Sequence, residues 1–267
     1  MQVFQITKQP DAISVSPLPV PSLYRKGDVP AEYYRDQASG ASPRADLNLK
    51  PARFVRTIRV KNGGFAGLAG GTGALLTVVI TGALTLRNGA GPATTFVPGD
   101  LFLSQAEELG DITVTAQEDC GLLQIGVAAD WPGAEATLQS PGTPSPRTGA
   151  PNIKRVYKGD DDLAYFREFP EVFPAPENSW SEPRSIRGFR FMCWEDGFID
   201  WHPEVINCFG MFLSGQMEIE SSGDRKVEIF RTGDICLAED RTGVGHIDRC
   251  HGATHVLLLV SEDEAIW

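Results

Sequence analysis

The sequence predicts an all-β protein with few short helices, built as two equivalent halves in tandem. Three observations predict it. Landmarks of residues 60–127 return in the same order in residues 194–261, at an offset of 133 that slips once to 134. Short apolar runs, some alternating with period two, are punctuated by glycine, as in sandwiches and barrels. Glycine (28) and proline (19) are frequent enough in 267 residues to interrupt most long helices.

Taken in chain order, the first 50 or so residues are turn-rich, and only "PAEYYRDQ" (30–37) suggests a short helix. Gly64-Phe65 then falls on Gly197-Phe198. "LLTVVITGALTL" (75–86) reads as a β-rich run, a Thr-Gly turn and a second strand, and "GMFLSGQMEIE" (210–220) repeats this with Ser-Gly. Gly82 and Gly215 are therefore expected in equivalent hairpin turns. Met217 and Ile219 alternate with Gln216, Glu218 and Glu220, the pattern of a half-buried strand. "VPGDLFLSQ" (97–105) lies over "RTGDICLAE" (231–239), each a turn opening a strand. The apolar run "LLQIGV" (122–127) matches "VLLLVS" (256–261).

Between the halves, residues 131–152 are rich in Pro, Gly, Ser and Thr and read as linker or strap. Residues 169–185 place Phe169, Phe173 and Trp180 among prolines, an arm expected to pack over a barrel end or a neighbouring subunit. The domain reading is residues 1–135 for the first half with its N-terminal arm, 136–185 for linker and strap, and 186–267 for the second half.

Composition excludes several functions. A formal net charge of −11 disfavours nucleic acid and anionic membranes as partners. No run of 18 apolar residues occurs, and "MQVFQITKQPDAISVSP" lacks the basic-then-apolar plan of a secretory signal, so a cytoplasmic location is expected. The five cysteines are odd in number and form no CxxC, which suits reduced thiols and argues against a disulfide framework or a zinc knuckle.

The chemistry gathers in residues 196–246. His202, Glu204, Ile206 and Cys208 alternate and would share one face of a strand. The spacing G-x4-H-x-E-x3-C-x6-G (Gly197, His202, Glu204, Cys208, Gly215) resembles the first motif of the cupin superfamily, and Gly233 to His246 resembles its second. The match spans about residues 190–262, with a degenerate copy over about 55–130. The resemblance implies a bicupin: two cupin-type barrels of the double-stranded β-helix or jelly-roll kind. The second half also resembles small cupin proteins of undefined function. Two positions depart from the family pattern. Glu204 stands at the second histidine, and Cys208 stands at the glutamate. In the first half Ala69 matches His202 and Leu75 matches Cys208. No histidine precedes His202, so that half holds no His-ligated metal and is expected to be structural.

Three readings of the second half stay open. A divalent transition metal (zinc, iron or nickel) sits on His202 and His246 with Glu204 or Cys208, in a pocket that takes a small-molecule ligand. Alternatively, without metal, His202 or His246 is a catalytic general base oriented by Glu204. Or the residues are structural, or bind a ligand without turnover. Elsewhere, His251 and His255 stand in a turn entering a strand and do not form a helical metal pair. Asp240 and Arg241 read as a local ion pair. Trp194 and Trp201 wall the pocket or pack in the core. The glycine-rich stretch 63–73 lacks a phosphate-binding pattern. Open sheet edges lead to the expectation of a homodimer or of a tight pairing of the two barrels within the chain.

Overall fold

The computed structural model describes residues 3–8, 13–18, 24–25, 49–64, 67–68, 73–88, 91–105, 112–131, 149–204 and 206–261. The expected helix at 30–37 and the position of Ala69 lie outside these residues. Among them, helix is confined to a 3-10 turn at Pro170–Val172, and the rest of the regular structure is strand. No helix of the described residues is long and apolar enough to cross a membrane.

The chain divides into two compact units. One takes in residues 1–22, 51–141 and 171–185, the other residues 23–50, 142–170 and 186–267. The first contains β1 (Val3–Lys8), β2 (Ile13–Leu18), β4 (Ala52–Val60), β5 (Ala74–Thr81), β6 (Leu84–Asn88), β7 (Thr94–Phe96), β8 (Leu101–Gln105), β9 (Ile112–Ala116) and β10 (Cys120–Val127). They form a six-stranded sheet in the order β2-β1-β8-β5-β10-β4 and a three-stranded sheet β7-β6-β9. The second contains β3 (Tyr24–Arg25), β11 (Ile153–Lys158), β12 (Ala164–Glu168), β13 (Gly188–Trp194), β14 (Gly197–His202), β15 (Cys208–Ser214), β16 (Gln216–Ser221), β17 (Val227–Arg231), β18 (Ile235–Ala238), β19 (His246–Cys250) and β20 (Thr254–Val260). Its sheets run β12-β11-β18-β15-β20-β13-β3 and β14-β19-β16-β17.

Apart from the added β3 and β14, the two orders are the same, and the registers agree residue by residue. Leu86 opposite Val114 returns as Ile219 opposite Asp248. Thr77 opposite Phe102 returns as Gly210 opposite Cys236. Arg56 opposite Gln124 returns as Arg190 opposite Leu258. The Pro-Gly-Asp and Thr-Gly-Asp turns repeat as well: Gly99 N–H donates to the Val79 carbonyl at 2.9 Å, and Gly233 N–H to the Phe212 carbonyl at 2.8 Å.

Two expectations are corrected. Gly82 and Gly215 are not hairpin turns. β5 lies in the large sheet and β6 in the small one, and β15 and β16 divide in the same way. Each glycine, at φ +70° and +78°, is the corner where the chain leaves one sheet for the other. A Cβ at either position would collide with a backbone carbonyl, that of Asp119 or of Ala253. Part of the stretch read as linker is also sheet. β11 and β12 form a hairpin, and β11 pairs in parallel with β18. Residues 171–185 pack in the first unit: Ser181 Oγ accepts from the Thr57 N–H at 3.0 Å, and Trp180 Nε1 donates to the Gly67 carbonyl at 2.8 Å.

The first unit has a filled core. Leu68, Leu75, Leu86, Phe96, Phe102, Ile112 and Val114 form one buried cluster, and each such side chain contributes about 1.5–3 kcal/mol by leaving water. In the second unit smaller side chains stand at matching registers: Cys208 for Leu75, Cys236 for Phe102, Gly210 for Thr77. The same frame is hollow there.

Candidate functional site

The hollow is a cavity of about 70 Å³ in the second unit, several times what one water requires. His202, Glu204, Cys208 and His246 all line it, with Arg190, Asp248 and mostly apolar side chains. His202, Glu204, Ile206 and Cys208, expected to share one strand, do not. β14 ends at His202 because Pro203 has no N–H for the ladder, and β15 begins only at Cys208. Glu204 is held instead by its N–H on the Asp240 carbonyl, at 3.2 Å.

His246 is brought opposite His202 by the turn before it. Gly245 has φ +77°, and a Cβ there would collide with the His202 carbonyl. Only glycine permits that approach, which lets β14 and β19 pair His202 with His246. The two rings lie 4.6 Å apart between centroids, tilted by 57°.

Each ring is oriented through Nδ1. His202 Nδ1 lies 2.8 Å from the Asp200 carbonyl, an acceptor, so Nδ1 carries the proton. His246 Nδ1 lies 2.7 Å from Asp240 Oδ2 and donates to it. Both Nε2 atoms then turn to one carboxylate. His202 Nε2 is 3.8 Å from Asp248 Oδ2, and His246 Nε2 is 3.7 Å from Asp248 Oδ1 and 4.0 Å from Glu204 Oε1. Asp240 and Asp248 are buried, at 0% and 5% exposure, and Oδ1 of each has no hydrogen-bond partner among the described residues.

Burial by itself would lower the His246 pKa. The charges of Asp240 and Asp248, with the hydrogen bond to Asp240, outweigh it and raise the value to about 10. Burial raises the Glu204 carboxyl above its ordinary value, although both imidazoles pull it down. Burial also lifts the Cys208 and Cys236 thiols well above the ordinary range, with Glu204 adding to the effect at Cys208 and Asp248 at Cys236. Both are thiols at neutral pH, not thiolates.

His202, His246 and Asp248 offer ligand atoms that all lie within 4.8 Å of one another. Two imidazoles and one carboxylate suit iron(II) or zinc. Nδ1 atoms tied to oxygen acceptors match the way ligating histidines are usually held. The buried Asp248 Oδ1, without a hydrogen-bond partner, is the atom a cation would satisfy. The residues present therefore fit a divalent metal, which would supply Lewis acidity and open coordination positions. Glu204 stands beside this group, and Cys208 is on the cavity wall outside it.

Asp248, Asp240 and Arg190 are the site residues that motif reading passed over. Asp240, expected to pair with Arg241, is instead hydrogen-bonded to His246. Trp194 lines the cavity, whereas Trp201 stacks under Arg225 at 4.7 Å and is not among the lining residues. His251 pairs with Glu218 at 3.0 Å, and His255 is buried against Ser214 Oγ at 2.8 Å; neither joins the cluster.

No protein-family model matches the chain, and no curated protein does. Solved structures to which it is similar include cupin-type proteins. A cupin 2 conserved barrel domain protein from Leptotrichia buccalis is 13% identical, covers 80% of this chain and 85% of its own, and gives a TM-score of 0.39. A protein of unknown function from Pseudomonas syringae pv. tomato is 14% identical over 91% of this chain and 100% of its own, with a TM-score of 0.37. An oxalate decarboxylase is 13% identical over 80% of this chain and 70% of its own, with a TM-score of 0.28. Likeness at this level transfers no chemistry, and the functional reading rests on the geometry above.

Proposed function

We propose that the chain is a two-barrel cupin protein whose second barrel carries a divalent transition metal on His202, His246 and Asp248 and binds a small molecule beside it. The supporting observation is the convergence of two oppositely anchored imidazoles on one buried carboxylate. Oxygenase- or isomerase-type chemistry belongs to this reading, because three protein ligands leave positions open for a substrate. Glu204, with its raised pKa, is placed to hold or release a proton beside the metal. The first barrel, with Ile112 and Val114 at the registers of His246 and Asp248, is structural. A homodimer is part of the proposal, supported by Phe198, 62% exposed on the edge strand β14.

A metal-free reading is favoured by the protonation of His246 between its carboxylates. With its pKa raised to about 10, His246 would then act as a general acid, not the general base expected from the motif. Elemental analysis of the purified chain separates the two. One equivalent of metal, lost on His202→Ala or Asp248→Asn, supports the centre; no metal in the chain, even after incubation with excess zinc or iron(II), refutes it.

A further inference from the structure

We infer that the cavity takes a short, uncharged molecule of the ketone type, whose oxygen accepts a hydrogen bond from the Trp194 indole N–H. Arg190, Met192 and Trp194 alternate on β13 and so share one face of that strand. All three line the cavity, and Trp194 packs against the buried cluster that includes Met192, Phe212, Met217 and Val256. The repeat shows that the frame itself asks for no polar group there. Arg56 and Val60 on β4, opposite Gln124 and Cys120, return four residues apart as Arg190 and Trp194 on β13, opposite Leu258 and Thr254. Val60 is fully buried in the apolar cluster of the first unit. An indole in place of that valine brings an N–H donor to the strand face that borders the cavity.

Trp194 Nε1 is shielded from solvent and has no hydrogen-bond partner among the described residues. Trp180 shows the usual arrangement. It too packs against the core of its unit, and its Nε1 donates to the Gly67 carbonyl at 2.8 Å. A buried donor left unpaired is costly, and an indole N–H can only donate, so what meets it is an acceptor. That acceptor is uncharged. Asp248 borders, with Trp194 and Ile199, both this cavity and a smaller pocket, and an anionic oxygen beside that carboxylate is repelled. A ketone oxygen accepts without adding a donor of its own, and it leaves the rest of the molecule apolar, as the wall requires. A cavity of about 70 Å³ holds roughly five water-sized groups, which sets the length of the ligand.

This inference rests on the cavity's being a ligand pocket, as proposed above, but not on the metal. Its test is titration of the full chain, metal-free and zinc-loaded, with acetone, butanone and cyclopentanone, each against the alkene in which a methylene group replaces the oxygen. The readout is the indole proton–nitrogen resonances of the five tryptophans. The expected result is that at least one ketone binds, and that one indole resonance, missing from Trp194→Phe, moves downfield with the ketone and not with the alkene. Trp194→Phe should weaken the ketone about three- to tenfold and leave any alkene binding unchanged. If Trp194→Phe does not fold, a nuclear Overhauser contact between ketone protons and the shifted indole proton of the parent chain decides the matter, and its absence overturns the inference. Failure of all three ketones in both forms, an unmoved resonance, or parental ketone affinity in folded Trp194→Phe also overturns it. A chain that binds a ketone through Trp194 but takes no metal refutes the metal centre alone. A chain that takes metal but binds no ketone refutes this inference alone.

Discussion

His246 shows how one side chain is prepared by three others. Asp240 fixes its tautomer at 2.7 Å, while Asp248 and Glu204 face Nε2, with the His202 ring 4.6 Å away. In the metal-free chain the folded pKa of about 10 stands above the ordinary imidazole value of about 6.5. The stability from this proton is thus fully present below about pH 6.5 and is lost as pH rises through about 10. Denaturant unfolding of metal-free protein should show a fall in stability across that window, and Asp240→Asn should flatten it. A flat profile in the parent would contradict the pairing. At the same scale, His202, Glu204, Cys208 and His246 were legible in the sequence from their motif spacing, and all four line the cavity. Asp248 was not, because no motif names it. The alignment that sets Leu75 on Cys208 also sets Val114 on Asp248, and a carboxylate in place of a core valine is the signal that would have found it. Arg190 was hidden for the opposite reason: both halves carry the arginine, so comparing them does not single it out.

At the scale of elements, the site depends on one turn. Gly245 lets the start of β19 approach the end of β14, and any side chain there meets the His202 carbonyl. Gly245→Ala should cost about 1–3 kcal/mol of stability and weaken metal binding as the histidines separate. Urea melts with a parallel metal titration check both, and a stable variant of parental affinity would show that the turn does not position the ring. The strands were legible from alternation and glycine punctuation, because those patterns report local geometry. Sheet membership was not. A Thr-Gly or Ser-Gly pair specifies a positive φ, but whether β5 and β6 pair or part is decided by residues far away, since β5 takes β8 and β10 as partners.

For the whole molecule, the repeat separates what the frame needs from what the site adds. Val114 is 1% exposed in a filled core, and Asp248 is 5% exposed at the same register. Asp248→Val should destabilise the metal-free chain only modestly, because Asp240 and Glu204 still face the His246 imidazolium. Val114→Asp should destabilise the first unit by about 3 kcal/mol or more, because it places a carboxylate in an apolar cluster. Thermal melts should therefore fall much further for Val114→Asp than for Asp248→Val, and equal falls would contradict the division of roles between the units.

Cobalt(II) substitution reads the ligand set at the metal itself. One cobalt per chain is expected, with a visible ligand-field spectrum and no thiolate-to-metal charge-transfer band. That spectrum should be lost in His202→Ala, His246→Ala and Asp248→Asn and kept in Cys208→Ser. A thiolate band that disappears in Cys208→Ser, or a spectrum indifferent to Asp248→Asn, would contradict this ligand set.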